Sequence, residues 1–230
     1  YGGCYPIRGE GAIEASKLGA IAVIIRSLAI PEDHFPHTGS MKYDSKTAKI
    51  PAAAISTSDA QELSRAIEQG PVELYIELDC RVFPNADSYN VIAEMTGEKS
   101  NEIITFGGHL DSWDTGEGAH DDGAGVIHCL EALRILKSLN YKPKHTLRLV
   151  FFMNEENGNM GGKTYAQWSK EKGEIQYAAL ESDRGGFTPR GFGVDGSIEQ
   201  VNHLKSFESL FSTYDLNQWG KGGGGVDIGP

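Results

Sequence analysis

The sequence contains no apolar run long enough to cross a bilayer. A membrane-spanning helix needs about 20 consecutive apolar residues, and runs such as Ala20–Ile25 are far too short. We therefore predict no membrane span. The sequence also has no Asn-x-Ser/Thr acceptor for N-glycosylation, so these patterns leave the cellular compartment open.

Cysteine is scarce. The three residues Cys4, Cys80 and Cys129 are widely spaced and odd in number, which argues against a disulfide framework and against a cysteine-rich zinc site. Cys129 lies on the apolar face of a predicted helix, so we expect it to fill the core.

Basic side chains are outnumbered. The chain has 21 Lys and Arg against 32 Asp and Glu, for a formal net charge of -11. This excess argues against nucleic acid or an anionic membrane as the main partner. A bound metal cation would offset part of the negative charge.

The two ends of the sequence carry no recognisable terminal element. No signal peptide opens the chain, which begins at Tyr1-Gly2-Gly3, and Gly222–Pro230 forms a glycine-rich stretch without a closing helix or strand. From this we expect a fragment of a longer protein. Its 230 residues are enough for one and a half to two domains.

The order of predicted elements indicates an α/β fold in two domains, residues 1–82 and 83–230. The first has no cluster of metal ligands. In the second, strands and helices alternate, which predicts a mostly parallel sheet with helices on both faces. The predicted elements are helices at 9–18, 58–69, from about 121, at 163–172 and at 198–211, and strands at 20–25, 50–56, 72–78, 89–95, 103–106, 147–153 and 177–180.

Three predicted strands are each followed by side chains that bind metals. These side chains are His109, Asp111, Asp121 and Asp122 after the first strand, Glu155 and Glu156 after the second, and Asp183 after the third. The carboxyl ends of neighbouring strands in an open α/β sheet line one crevice. Because clustered carboxylates repel one another in a partly dry site, we predict a divalent metal there, with two ions favoured over one.

Each motif also has a simpler interpretation. His109 and Asp111 could belong to a polar loop, the Asp121–Asp122 pair could cap a helix, and Asp183 could be a turn residue. In the metal hypothesis, one aspartate of the pair bridges two ions. One residue of Glu155 and Glu156 then binds metal while the other moves a proton. A carboxylate at Asp111 would orient His109.

The other histidines are expected to be background. His128 lies within a helix, His145 opens a strand, and His203 lies on a helix where we expect it to be exposed. His120 precedes the aspartate pair and could line the site without being a ligand.

Taken together, the motifs resemble the di-zinc exopeptidase family of the leucine aminopeptidase and glutamate carboxypeptidase II type, and within it most of all the carboxypeptidase Q group. The resemblance covers nearly the whole chain. It rests on GHLDSWD at 108–114, DDGAG at 121–125, RLVFFMNEE at 148–156, ESDRG at 181–185, PHTG at 36–39 and IPAAAIS at 50–56.

The resemblance implies a role for each site residue. His109, Asp121, Glu156 and Asp183 would bind two zinc ions, with Asp121 as the bridge. Glu155 would be the general base, and Asp111 would orient His109. The first domain would be an inserted protease-associated domain.

The resemblance also implies a second histidine ligand from a later segment. This chain offers no candidate for it, since His203 is in the wrong context, so we expect weak or absent activity of the 230 residues alone. The resemblance also implies that the substrate is a small peptide. It implies a secreted or lysosomal location for the protein, which could form a homodimer. Two alternatives remain open: a non-catalytic family member that acts as a binding module, and a mono-zinc acyltransferase of the glutaminyl cyclase type.

Overall fold

A computed structural model describes residues 3–37, 39–114, 116–183 and 185–230. The chain divides into two compact units, Tyr1–Pro84 and Asn85–Pro230. Thr38 of the PHTG motif and Arg184 of the ESDRG motif lie outside the described residues. Within the described ranges, no helix has the length and apolar character needed to cross a membrane.

The first unit pairs two short parallel strands with two helices. In chain order the elements are α1 (Tyr5–Lys17), β1 (Val23–Arg26), β2 (Ala52–Ile55) and α2 (Thr57–Gln69). Ser56 begins α2 because its buried hydroxyl accepts a hydrogen bond from the Asp59 amide at 3.0 Å. Such a bond satisfies one of the free amides of the first turn. The N-cap therefore lies two residues before the predicted Ser58–Asp59.

One strand prediction in the first unit was wrong, and another was wrong in its start and in its burial. Val72–Leu78 alternates apolar and polar residues, yet the structure has no strand there and its side chains are largely exposed. Alternation stabilises a strand only when a neighbour supplies backbone partners and one face is buried. Similarly, the run Ala20–Ile25 was expected to be a fully buried strand. In the structure β1 begins only at Val23, its residues are at most half-buried, and Ile21 is exposed.

The second unit contains a four-stranded mixed sheet and a separate two-stranded parallel sheet. The main sheet has the order β3-β5-β4-β6, in which only β3 is antiparallel. Its elements are β3 (Val91–Met95), β4 (Lys99–His109), α3 (Ala124–Ser138), β5 (His145–Phe152), α4 (Met160–Glu171) and β6 (Ile175–Glu181). The smaller sheet and its connections are β7 (Gly191–Val194), α5 (Ile198–Lys205), α6 (Glu208–Phe211) and β8 (Gln218–Lys221).

The main sheet is covered by one helix on each face. On one side, Cys129 and Leu133 of α3 pack with Phe106 and Leu149. On the other side, Tyr165 of α4 joins a second cluster with Val150 and Phe152. Neighbouring residues of β5 thus enter opposite clusters, as the period of two along a strand requires. The predictions of helices on both faces, of a central strand at β5 and of a core position for Cys129 are confirmed.

The predicted helix 198–211 is interrupted. A capping box between Ser197 and Gln200 begins α5, which ends at Lys205, and α6 is only a short turn of helix. At the break, the Ser206 hydroxyl donates to the His203 carbonyl at 2.6 Å. Serine hydroxyls compete in this way with the backbone bonds of a helix, which the apolar spacing alone does not reveal.

Arg148 of β5 is the centre of a buried ionic cluster. Its guanidinium donates to Glu174 at 2.6 and 2.8 Å, to Glu94 at 2.5 Å and to the Tyr165 hydroxyl at 3.1 Å. The same group lies 5.0 Å from the centre of the Trp168 ring. Hydrogen bonds to Arg148 hold the pKa of Glu174 below its ordinary value. The buried cation therefore has its counter-charges within the protein.

Strand register brings the carboxyl ends of β4, β5 and β6 to one edge. His109 pairs with Phe152, the last residue of β5, and Gly107 pairs with Glu181, the last residue of β6. The Ser182 amide then donates to the Gly107 carbonyl at 2.9 Å. The segments that follow all three strands therefore leave the sheet from the same edge.

Candidate metal centre

His109 ends β4 and is 1% exposed. Its ring nitrogen Nδ1 lies 2.8 Å from the main-chain carbonyl of Asp111. A carbonyl only accepts hydrogen bonds, so Nδ1 must carry the proton. The other ring nitrogen, Nε2, is thereby directed at the carboxylates of the site, which is the orientation a metal-binding imidazole needs.

Several predicted site residues surround Nε2 of His109. Oδ1 of Asp121 and Oδ1 of Asp183 each lie 3.0 Å from it, and Oε2 of Glu155 lies 4.0 Å away. Two groups of possible ligand atoms, each within 4.8 Å of one another, share this histidine. One group adds Asp121 and Asp183, and the other adds Glu155 and Glu156. The four predicted metal ligands and the predicted base are therefore brought together.

Asp111 contacts both His109 and the pair Glu155 and Glu156. Its carboxylate accepts hydrogen bonds from the amides of Glu155 and Glu156, at 3.0 and 3.3 Å. Its Oδ1 lies 3.8 Å from Nδ1 of His109, whereas the main-chain carbonyl of Asp111 lies 2.8 Å from the same nitrogen. Asp111 thus contacts the His109 ring through its main chain and holds the two glutamates through its side chain.

The adjacent residues Asp121 and Asp122 have different environments. The Asp121 side chain is 61% exposed and faces His109, whereas Asp122 is 1% exposed. The carboxylate of Asp122 accepts from the His109 amide at 3.0 Å and from the Gly125 amide at 3.1 Å. It therefore ties the end of β4 to the start of α3.

The helix predicted to begin near Asp121 in fact begins later. Ala119–Gly123 is a wide turn in which Asp121 and Asp122 have non-helical backbone angles and are joined by a cis peptide bond, and α3 begins at Ala124. The carboxylate of Asp122 therefore bonds both to the end of β4 and to the Gly125 amide in the first turn of α3. Gly125 is required for this close approach, because a Cβ there would overlap Asp122 and the Ser182 carbonyl.

Burial and neighbouring charges raise the pKa values of three acidic groups of the site, Asp122, Glu155 and Glu156. Burial, together with the charges of Asp121 and Glu155, raises the pKa of Glu156 to about 7. Burial and the charge of Asp183 likewise raise the pKa of Asp122 to about 7, against the effect of His109. The pKa of Glu155 is raised as well, mainly by burial.

The same negative charges also raise the pKa of His109. Burial lowers the pKa of His109, but its hydrogen bonds to Asp183 and to the Asp111 carbonyl, together with nearby negative charge, outweigh burial and raise it to about 10. One imidazole is thus shared by several carboxylates, and the site has a deficit of positive charge.

Two acids near the site, the partly buried Glu181 and the buried Asp227, were not assigned a role from the sequence. Oε2 of Glu181 accepts from the amides of Asp227 and Ile228, at 3.0 and 3.1 Å. Asp227 is 2% exposed, and burial followed by the charges of Glu181 and Glu155 raises its pKa to about 7. Glu181 is visible in the ESD motif. Asp227 follows a glycine run without any pattern that would indicate its place in the fold.

The residues present fit a divalent cation. Imidazole nitrogen and carboxylate oxygens are the ligands that zinc takes in hydrolytic sites. Oε1 of Glu156 is buried and has no hydrogen-bond partner among the residues that the structure describes, and buried polar atoms in folded proteins are nearly always satisfied. A cation would satisfy this oxygen and would relieve the repulsion that raises the carboxyl pKa values.

The chain is similar in sequence to known peptidases. The pattern of peptidase family M28 matches residues 90–218. Carboxypeptidase Q of Bos taurus is 40% identical over 230 residues, covering 99% of this chain and 49% of that protein. Carboxypeptidase Q of Homo sapiens is 39% identical over 223 residues, covering 96% and 47%. The chain thus spans about half the length of these curated relatives.

Solved structures show the same fold. A peptidase M28 precursor from Shewanella amazonensis SB2B superposes with a TM-score of 0.84 at 33% identity, covering 97% of this chain and 51% of that one. A zinc aminopeptidase from Bacillus subtilis superposes with a TM-score of 0.63 over 94% of this chain, and its identity of 22% supports the fold alone.

Proposed function

The chain belongs to peptidase family M28, and from that premise we propose that it is the catalytic part of a zinc-dependent exopeptidase. The proposed substrates are dipeptides or short peptides, as suggested by the similarity to carboxypeptidase Q. The observation that carries the proposal is the convergence on Nε2 of His109. Carboxylates from three segments, each following a different strand, lie within 4.0 Å of this one nitrogen.

The proposed ligands of two zinc ions are His109, Asp121, Glu156 and Asp183. When bound, zinc acts as a Lewis acid that polarises the scissile carbonyl and lowers the pKa of water. The protein supports this role by its hydrogen bonds. The contact between Nδ1 of His109 and the Asp111 carbonyl keeps the lone pair of Nε2 directed into the site.

Glu155 is proposed to be the general base. Its carboxylate accepts a proton from the attacking water and returns it to the nitrogen of the leaving amine. Two features support this role. The Asp111 carboxylate holds the Glu155 amide at 3.0 Å, and burial raises the pKa of Glu155 toward the neutral range in which a base is most effective.

We also propose how the chain is divided. Residues 1–82 would form an inserted domain of the protease-associated type, and residues 83–230 would belong to the metallopeptidase domain. Support comes from the boundary of the compact units at Pro84 and from the M28 match, which begins at residue 90. A secreted or lysosomal location and a homodimer are proposed on family resemblance alone.

The test combines metal content with peptide hydrolysis. A protein that includes the second histidine ligand implied by the family resemblance is expected to bind two zinc ions and to cleave unblocked dipeptides, whereas the 230 residues alone are expected to show weak or no activity. A Glu155→Gln change should lower turnover by about 10²–10⁴-fold, since the base is lost, while zinc content stays the same. Glu171→Gln on the exposed side of α4 is the matched control and should leave turnover unchanged.

Other outcomes would contradict the proposal in distinct ways. Loss of zinc from Glu155→Gln would mean that this residue is a ligand and not the base. One tightly bound ion without hydrolysis would favour the mono-zinc acyltransferase alternative. Two bound ions without hydrolysis of any peptide would favour the non-catalytic binding module. Comparing blocked and unblocked dipeptides would also show which chain end is recognised.

A further inference from the structure

Asp121 and Asp183 come from distant parts of the sequence but approach the same nitrogen atom. Each lies 3.0 Å from Nε2 of His109. Asp121 belongs to the turn before α3, and Asp183 follows β6. The Asp121 side chain is 61% exposed, so packing against the core does little to fix its position. Hydrogen bonds of the neighbouring Asp122 and Ser182 tie each segment to β4, and a direct contact between the two segments would hold them together further.

His120 provides such a contact. Its Nδ1 accepts a hydrogen bond from the Gly186 amide at 3.2 Å. Its ring also packs edge-to-face on Phe187, with the ring centres 5.1 Å apart and the planes at 64°. His120 directly precedes Asp121, and Gly186 lies three residues after Asp183. The contact therefore joins the two ligand-bearing segments beside the metal centre.

The opposing segment is shaped to receive the imidazole ring. Gly185 has a positive φ of +82°, a conformation that residues with a Cβ rarely adopt. A Cβ at this position would also overlap the His120 ring. By contrast, a Cβ at Gly186 would meet only the Ala124 side chain, at an ordinary contact distance of 3.5 Å. The close fit is therefore specific to Gly185.

We propose that His120 is a positioning residue that holds the Asp121 segment and the Asp183 segment together for metal binding. The inference rests on the proposed function, because it assigns Asp121 and Asp183 to the metal. His120 itself is not a ligand in this proposal. It acts through the Gly186 amide and the Phe187 ring. Contacts of this kind, one step removed from the ligands, change metal affinity by about 10–100-fold when they are lost.

Zinc affinity tests the inference without relying on activity. Competition with a chromophoric chelator measures the dissociation constants of the purified protein and its variants. His120→Ala should weaken zinc binding by about tenfold. His120→Asn should recover most of this loss, since the amide oxygen can accept the Gly186 hydrogen bond in place of Nδ1. Thermal denaturation of the metal-free proteins shows whether each variant is folded.

Two glycine variants complete the design. Gly185→Ala should weaken zinc binding at least as much as His120→Ala, because it both strains the backbone and displaces the ring. Gly186→Ala is the matched control and should bind zinc as the wild type does.

Unchanged zinc affinity in His120→Ala would overturn the inference while leaving the proposed function intact. The inference would also be overturned if His120→Asn lost as much zinc affinity as His120→Ala, or if Gly186→Ala lost as much as Gly185→Ala. In either case the loss would not depend on the contact between His120 and the opposing segment. Absence of zinc binding by the wild-type protein would overturn the proposed function and this inference with it.

Discussion

Two clusters of buried charge on one sheet differ in how they are balanced. Around Arg148, a single buried cation has Glu174, Glu94 and the Tyr165 hydroxyl as direct partners. Around His109, one imidazole is shared by Asp121 and Asp183, with further acids close by. The first cluster has its counter-charges within the protein, and the second does not.

The pKa shifts record this difference. Hydrogen bonds to Arg148 lower the pKa of Glu174, whereas burial and neighbouring acids raise the pKa of Glu156 to about 7. In a balanced cluster the charged forms of the side chains are stabilised by their partners. In an unbalanced cluster the charged carboxylates are stabilised only when a cation binds. The comparison teaches that it is uncompensated charge, and not buried charge as such, that marks a functional site.

Breaking the balanced cluster should give the largest loss of stability. Arg148→Met leaves Glu174 buried beside an apolar side chain, and removal of one partner of a buried ion pair costs about 3–5 kcal/mol. Chemical denaturation of the metal-free protein measures the effect. Combining Arg148→Met with Glu174→Gln should restore part of the loss, because the unpaired charge is removed.

The Arg148 variants also test the separation of the two clusters. The zinc affinity of the folded variants should equal that of the wild type. The hydrogen bonds described for Arg148 go to Glu94, Glu174 and Tyr165, none of which is a proposed zinc ligand. If Arg148→Met retained its stability and lost zinc, the cluster would be functional and the comparison would be wrong.

The pH dependence of stability should have opposite signs for the two clusters. Asp122 and Glu156 have pKa values raised to about 7 in the folded protein. They therefore keep protons that the unfolded chain has released, so stability falls as pH rises from about 4 to about 7. His109, with its pKa raised to about 10, acts in the same direction above pH 6.5. Glu174, with a lowered pKa, contributes stability that is lost as pH falls.

Denaturation of the metal-free protein between pH 5 and pH 8 checks the sign for the His109 cluster, and denaturation below pH 4.5 checks the sign for Glu174. We expect stability to decrease by several kcal/mol toward pH 8, since both carboxyl groups and His109 contribute. Saturating zinc should remove or reverse this decrease, because zinc binds the deprotonated ligands. A metal-free protein equally stable at both pH values would show that the acidic cluster is already neutralised by groups of its own.

The smallest effect is expected at the surface. Arg134 and Glu131 form a bidentate pair on the exposed side of α3, at 2.6 Å for both hydrogen bonds. Exposed pairs contribute little because water screens them. Arg134→Ala should therefore leave the denaturation midpoint, zinc affinity and turnover without measurable change. A large shift in the denaturation midpoint would mean that an ion pair can be important for stability even when it is exposed.

Much of the sheet could be predicted from the apolar runs. The strand through Leu147 and Phe152 was expected to be central, and it lies between two neighbours and is covered on both faces. The failure at Val72–Leu78 had a different cause. There the alternating pattern was present, but the described residues supply no neighbouring strand, so the pattern had nothing to stabilise.

The candidate site could be predicted in part. The residue types after three strands indicated which side chains would meet, because parallel strands place their carboxyl ends together. The residue types alone left open which aspartate of the Asp121–Asp122 pair would face His109, and the assignment of Asp121 came from the family resemblance. Only the fold shows that Asp122 is the buried one. Asp227 was missed because no local pattern connects it with Glu181, 46 residues earlier.

The sequence by itself determined the strands of the main sheet, the helices beside them and the acids and imidazole at their ends, because hydrophobic periodicity and side-chain chemistry are local properties. Only the tertiary structure decided which atom of Asp111 faces His109, which acids are buried, and that His120 meets Gly186. These outcomes depend on distances between segments far apart in the chain, and no local pattern encodes such distances.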